Sequence, residues 1–384
     1  MKRTAVFILF AAILVMNITA QTKPRARDLG VPFDGSPGQF NAITDVKGVE
    51  VGYTTLISGT GKKAVRTGVT AILPQGKAYR GSLFGAWHTL NGNGEMTGTT
   101  WLQESGAFGG PIMITNTHSV GIVRDAVIEW GLRKGVTDGY SGDFSLPIVA
   151  ETWDGFLSDI NGFHVKKEHV FTALDSAKSG IPAEGNVGGG TGMVAHQFKA
   201  GTGTSSRVLG AKDGGYTVGV MVQANYGSRR LMKIAGVPVG KEITDLMPNE
   251  RKADDDSGSI IVVVATDAPV LPHQLKRIVQ RVSLGIGLMG GIGGNSSGDI
   301  FIAFSTANSA SVGKTEISNV SLLSNEKINP LFEATVQATE EAIVNALVAA
   351  ETMTGFDGNT VYAFPHNRLK AALKKYNRLQ EPVK

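Results

Sequence analysis

The sequence predicts a layered α/β protein. Three observations carry this. Short apolar runs of strand length recur, stretches with helical apolar spacing alternate with them, and 50 glycines punctuate the 384 residues between them. Hydrophobic residues make up 42% and charged residues 18%, enough for a large core and inconsistent with wholesale disorder. The length fits one large domain or two ordinary ones.

The elements follow in chain order. MKRTAVFILFAAILVMNITA sets Lys2 and Arg3 before an apolar centre, Ala5 to Met16, with small residues near Ala20. This is the pattern of a secretory signal peptide over residues 1–20, cleaved after Ala20, and predicts a periplasmic or secreted protein. The apolar centre is short against the roughly 20 residues of a span, so no membrane association is expected after signal removal. Residues 21–40 are polar and Pro/Gly-rich, an irregular lead-in. GVTAILP (68–74), TGMVAHQF (191–198) and YTVGVMVQAN (216–225) read as strands. VGIVRDAVIEWGLRKG (120–135) has helical apolar spacing and stops at a glycine, which predicts a helix. The polar stretch 237–258, with Pro238 and Pro248, reads as a linker. At Ser259 the composition changes sharply, and SIIVVVATD reads as a buried strand. Asp267 is placed to cap a helix opening at Ala268–Pro269, with Leu271, Leu275, Ile278, Val279 and Val282 as its apolar face. GDIFIAFST (298–306) is a further strand, 331–353 a long amphipathic helix, and a shorter basic helix is expected near residue 370.

Several function classes drop out. The net charge is +4, two of it from Lys2 and Arg3, and no Lys/Arg stripe with interleaved aromatics occurs, so nucleic acid is not an expected partner. With no cysteine, thiol nucleophiles, iron–sulfur clusters and Cys-based zinc sites are excluded, and an exported chain must rely on packing without disulfides. The seven histidines are scattered without HExxH spacing. His118 and His164 read as structural, and no metal site is expected. GNVGGGTGM (185–193) lacks a Walker lysine and reads as a glycine turn packed against another backbone. SVGKT (311–315) has Asn308 where a Walker loop needs glycine. DDDSGS (254–259) lacks the spacing and distal glutamate of an EF-hand and reads as a solvated acidic loop. No GxSxG elbow marks Ser259, which leaves a Ser-His-Asp triad open but unsupported.

Ser259 stands where the acidic loop meets the buried strand. Two features raise it above an ordinary strand-starting serine. The loop at the strand's mouth is accessible, and Gly258 can adopt backbone conformations closed to other residues. A Gly–Ser bond so placed suits self-cleavage. The hydroxyl attacks the preceding carbonyl, an ester forms, and water hydrolyses it, leaving Ser259 as a new N-terminus.

GSIIVVVATDAPVLPHQLKRI (258–278), ETWDGFLSDING (151–162), GNVGGGTGM and SSGDIFIAFST (296–306) together resemble the self-processing serine aminopeptidases. That family includes the L-aminopeptidase/D-amidase/D-esterase enzymes and the β-peptidyl aminopeptidases. The four motifs match in order across nearly the whole chain beyond the signal. The resemblance implies a single four-layer α/β/β/α sandwich over 21–384, Ntn-hydrolase-like with different connectivity. It implies a cut between Gly258 and Ser259 into an α chain, 21–258, and a β chain, 259–384, which stay together and form homo-oligomers.

By the same resemblance Ser259 matches the nucleophile. Ser297 and Asp299 match the serine and the acid that support it; two apart on an extended segment, they face the same way. Some relatives carry glutamate at the acidic position, so Asp299 has a shorter reach. Asn225 matches an oxyanion donor, and Glu151 a carboxylate for the substrate's ammonium group. Trp153 stands where some relatives have tyrosine; an indole N–H donates but cannot accept, which suits shaping the pocket. The implied activity is an aminopeptidase on short peptides, amides or esters, working through an acyl-enzyme without a cofactor. NGNGEMTG (91–98) is a candidate loop for deciding among D-, β- and small L-residues. Two alternatives stand beside this reading: an acyltransferase on the ornithine acetyltransferase architecture, whose new N-terminus is threonine, and a non-enzymatic binding protein on the same fold.

Overall fold

The computed structural model describes residues 23–78, 81–135, 144–249, 258–309 and 316–381. The expected signal peptide, aspartates 254–256 and the segment 311–315 lie outside these residues. In chain order the strands are β1 (Glu50–Ser58), β2 (Val65–Leu73), β3 (Ser82–Thr89), β4 (Ala107–Gly109), β5 (Ile112–Asn116), β6 (Ile148–Thr152), β7 (Val194–Ala195), β8 (Phe198–Lys199), β9 (Thr202–Val208), β10 (Thr217–Asn225), β11 (Ser259–Thr266) and β12 (Ile300–Ser305). The helices are α1 (Thr99–Ser105), α2 (Val120–Lys134), α3 (Lys167–Ser176), α4 (Val239–Glu242), α5 (Pro272–Gln280), α6 (Val282–Leu288), α7 (Asn329–Val348) and α8 (His366–Lys375).

Two sheets face each other, one ordered β1-β2-β5-β6, the other β4-β3-β12-β11-β10-β9. Their facing sides share one core, with Val51, Ile72, Ile114 and Ile148 against Met221, Ile261, Val263 and Phe304. The outer face of the smaller sheet packs Ala71, Met113 and Val149 against Val123, Trp130, Val170 and Leu174 of α2 and α3. The outer face of the larger packs Val222, Val262 and Phe301 against Leu275, Ile278, Ile286 and Ala342 of α5 to α7. The result is an α/β/β/α sandwich. Each sheet has a helix layer on one side and the other sheet on the other. That explains why β11 is apolar without interruption: Ile260, Val262 and Val264 point to the helices, Ile261, Val263 and Ala265 to the other sheet.

Two parallel crossovers organise the sheets. β5 and β6 pair in parallel through α2, and β11 and β12 through α5 and α6. β10 and β11 are antiparallel, and their register sets Asn225 opposite Ser259.

Several sequence expectations are corrected. Segment 191–198 is not one strand. A 3-10 turn over Gly188–Gly192 is followed by the β7–β8 hairpin, turned by His196 and Gln197 at φ 48° and 57°. The glycine turn packs against other backbone: a Cβ on Gly189, Gly190 or Gly192 would strike Ile114, Thr202 or Arg66. The helix expected at Ala268–Pro269 starts at Pro272, whose ring occupies the first turn, and Val282 belongs to the next helix. Asp267 caps no helix. Its Oδ1 accepts the Thr217 N–H at 2.7 Å, at the start of β10. The long helix α7 ends at Val348, before 353. There the Val348 carbonyl accepts from His366 Nε2 at 2.9 Å and the Ala349 carbonyl from Lys23 Nζ at 3.1 Å. The stretch read as a linker is anchored at its start, where Val237, Val239 and Ile243 are buried in the core.

Candidate active site

The ends of β6, β10 and β11 meet at one edge of the sandwich around a cavity of about 520 Å³. Ser259, Gly258, Asn225, Glu151 and Trp153 line it, with Asn93, Gly94, Glu95, Thr117 and Ser296. Both sheets contribute. β6 delivers Glu151 and the following Trp153; β10 and β11 deliver Asn225 and Ser259. Glu151, Asn225 and Ser259, 34 to 108 positions apart in sequence, thus share one wall because strand ends of two facing sheets converge there.

Ser259 is the first residue of β11 and is buried. The Gly258 carbonyl before it accepts the Gly298 N–H at 3.2 Å. Gly258 lies at φ 151°, and a Cβ there would land on the Asn225 carbonyl. The junction is therefore closed to any other residue, because the β10 backbone occupies the space.

Asn225 is held by both ends of its amide. Its Oδ1 accepts the Val194 N–H at 2.8 Å, and its Nδ2 donates to the Trp153 carbonyl at 2.9 Å. An amide nitrogen has two hydrogens; among the described residues these contacts use one, which leaves the second for the cavity that Asn225 lines.

Ser297 and Asp299 are buried behind the wall and bonded to each other: Ser297 Oγ donates to Asp299 Oδ1 at 2.7 Å. The same Oδ1 accepts the N–H of Ile260 at 3.2 Å, which ties the carboxylate to the residue after Ser259. This supplies partners for Asp299 despite its shorter side chain.

Glu151 is 2% exposed, and no ion pair reaches it among the described residues. Its Oε1 accepts the Glu95 N–H at 2.9 Å and its Oε2 accepts the Thr117 hydroxyl. Burial raises its pKa above the ordinary glutamate range, while these hydrogen bonds pull the other way. Trp153 is 44% exposed, and its ring covers Gly155, where a Cβ would strike the indole. Behind it, Asp154 is fully buried; burial lifts its carboxyl to about 7 against hydrogen bonds from Thr67 and Asn116.

Sequence reasoning missed Thr117, Gly298 and Asn91. The loop 91–98, a specificity candidate from sequence, does line the cavity, through Asn93, Gly94 and Glu95. Nothing in the one-dimensional pattern marks Thr117 or Gly298, since their importance lies in what they touch across the fold.

Comparison with known proteins agrees with this architecture. The family model "Peptidase family S58" matches residues 41–361. A beta-peptidyl aminopeptidase BapA of Sphingosinicella microcystinivorans is 54% identical over 391 residues, 97% of this chain and 97% of that protein. The solved structure of an L-aminopeptidase D-Ala-esterase/amidase from Ochrobactrum anthropi superposes with a TM-score of 0.87 at 48% identity, covering 93% of this chain and 100% of that one. It is described as a prototype for the serine aminopeptidases and a variant of the Ntn hydrolase fold. A Burkholderia sp. beta-aminopeptidase structure gives a TM-score of 0.84 at 46% identity, covering 92% and 99% of the two chains.

Proposed function

The chain belongs to peptidase family S58 and is a serine aminopeptidase; from that premise we propose that Ser259, freed as an N-terminus by its own attack on Gly258, removes N-terminal residues from short peptides, amides or esters. β-Peptidyl substrates are included in the proposal, on the similarity to the Sphingosinicella enzyme. The single observation that carries it is the shared cavity: a strand-starting serine, an asparagine amide and a buried carboxylate with no ion pair among the described residues face one space.

In the uncut chain Ser259 Oγ attacks the Gly258 carbonyl carbon, the C–N bond gives way to an ester, and water hydrolyses the ester. The Gly298 N–H on that carbonyl oxygen stabilises the charge that develops there. The products are a Gly258 carboxylate and a Ser259 α-amine. That amine has an unperturbed pKa of roughly 7.7–8.0, so near neutrality a usable fraction is free to act as base.

In turnover the amine takes the hydroxyl proton and Oγ attacks the substrate carbonyl. The second N–H of Asn225 donates to the tetrahedral oxyanion; losing such a donor costs about 10²–10³ in rate. The Ser297–Asp299 pair supports the base. The leaving amine departs with the proton, and water clears the acyl-enzyme. Glu151 pairs with the substrate's free ammonium group, which selects N-terminal bonds over internal ones. Trp153 shapes the wall beside it. Export through residues 1–20 to the periplasm or medium, and assembly of the cut chains into a homo-oligomer, complete the reading.

The test is Ser259→Ala, followed by intact mass and a panel of aminoacyl p-nitroanilides. The expected result is one uncut chain without aminopeptidase activity. A variant that is cut and active refutes the proposal. Adding an acyl donor and an amine acceptor to the parent enzyme tests the acyltransferase alternative, which predicts transfer in excess of hydrolysis.

A further inference from the structure

The Ser297–Asp299 pair has a third member that comes from a distant part of the chain. Asn91 follows the end of β3, and its side-chain amide grips Asp299 at two points. Asn91 Oδ1 accepts the Asp299 backbone N–H at 2.6 Å, and Asn91 Nδ2 donates to Asp299 Oδ2 at 3.2 Å. The same Nδ2 lies 3.3 Å from the Gly294 carbonyl, and the Leu90 N–H donates to the Asp299 carbonyl at 2.9 Å. One amide thus fixes both the backbone and the carboxylate of one residue.

The consequence is directional. With Oδ2 held by Asn91, Oδ1 is turned to Ser297 Oγ and to the N–H of Ile260. A carboxylate torsion is broad and roughly two-fold, so an aspartate without this grip can rotate away from Ser297. We propose that Asn91 is the positioning residue of this active site: its two-point clamp sets the Asp299 carboxylate so that Ser297 is aligned toward the reacting serine. Asn91 is not among the residues that line the cavity, and its contacts to the acid–serine pair run through Asp299. The clamp also gives the short aspartate side chain a fixed direction.

The proposal rests on the reading of Ser259 as nucleophile, so the experiment carries Ser259→Ala as a parallel control. Asn91→Asp is nearly isosteric, keeps an acceptor for the Asp299 N–H and replaces the donor with a like charge. Asn91→Ser is the second variant, too short to bridge both points. Intact mass, melting temperature, kcat and KM are measured for both, with rates normalised to cut chain. The expected result is a fall in kcat of roughly 10²-fold for Asn91→Asp and about 10-fold for Asn91→Ser, set against the 10²–10⁴-fold that positioned proton transfer supplies. KM stays within about twofold and the melting temperature close to the parent. A folded variant that stays uncut counts as the same loss.

Parental kcat in both variants overturns the proposal. So does a fall in kcat that comes with a matching rise in KM and a lower melting temperature, since that is a structural role. An active Ser259→Ala brings down the underlying reading instead. A dead Ser259→Ala beside normal kcat in both Asn91 variants brings down only the clamp.

Discussion

Two glutamates buried to the same degree behave in opposite ways. Glu341, in α7, is 0% exposed and Glu151, at the end of β6, is 2% exposed. Glu341 is surrounded by partners: Arg27 Nε and Nη2 at 2.8 Å each, Arg207 Nη2 at 2.9 Å and Asn41 Nδ2 at 2.6 Å. Burial alone would raise its pKa, but the hydrogen bonds and charges of Arg27 and Arg207 outweigh it and hold Glu341 below the usual range. Around Glu151 the hydrogen bonds and the weak attraction of His118, itself opposed by the charge of Glu95, do not offset burial, and burial wins. The difference separates structure from function. A buried carboxylate saturated with cations ties segments together; one with no ion pair among the described residues, at a cavity wall, would be free to take a substrate's cation. Glu341 joins residues on both sides of the Gly258–Ser259 junction, so its network would hold the two chains together after a cut.

The largest expected effect tests the saturated side. Glu341→Ala leaves Arg207 buried and unpaired, and the fold should lose about 3–5 kcal/mol by chemical denaturation. A loss near zero would show that the network is not a tie.

Asp154 sharpens the contrast as a third buried carboxylate, sealed rather than facing the cavity. Its folded pKa, about 7, is raised above the unfolded value near 3.9. The stability it contributes is therefore present below pH ~3.9 and lost as pH rises through about 7, on the order of 3–4 kcal/mol. Asp154→Asn is neutral at every pH, and denaturation curves from pH 4 to 8 should lose that slope. A slope that persists assigns it to another group.

Glu151→Gln tests the unsaturated side with the smallest change. The amide can still accept from Glu95 N–H and meet the Thr117 hydroxyl, so stability should hold or rise slightly. Activity should not: kcat/KM is expected to fall about 10²-fold, or ~2.7 kcal/mol, mostly through KM. In the parent, Glu151 must be ionised to pair with ammonium, so its raised pKa puts the acidic loss of kcat/KM at a higher pH than an ordinary glutamate gives. That limb should vanish in the variant. A Glu151→Gln enzyme that lost stability and kept KM would erase the distinction from Glu341.

Much of this molecule was legible in its sequence, and the failures share a cause. The uninterrupted run after Ser259 showed a buried strand, and the fold explains the missing alternation by covering both of its faces. The spacing in 120–135 showed α2, since one face alone is covered. Segment 191–198 looked like a strand because its residues are buried, but its conformation is a turn and a hairpin imposed by the surrounding backbone. Asp267 looked like a helix cap, and its partner proved to be a strand 50 positions earlier. Local pattern reports burial and periodicity; it does not report which distant backbone a polar side chain will find.

By itself the sequence determined the α/β class, the Gly–Ser junction before a buried strand, the absence of thiol chemistry and, through four motifs, the family. The tertiary structure alone decided that β6 and β10 bring Glu151 and Asn225 to Ser259, that Gly298 reaches the Gly258 carbonyl, and that Asn91 grips Asp299 across 208 positions. The physical reason is range. Composition and periodicity arise from each residue's own transfer between water and core, whereas hydrogen bonds and ion pairs depend on ångström-scale contacts that exist only once the two sheets have closed on each other.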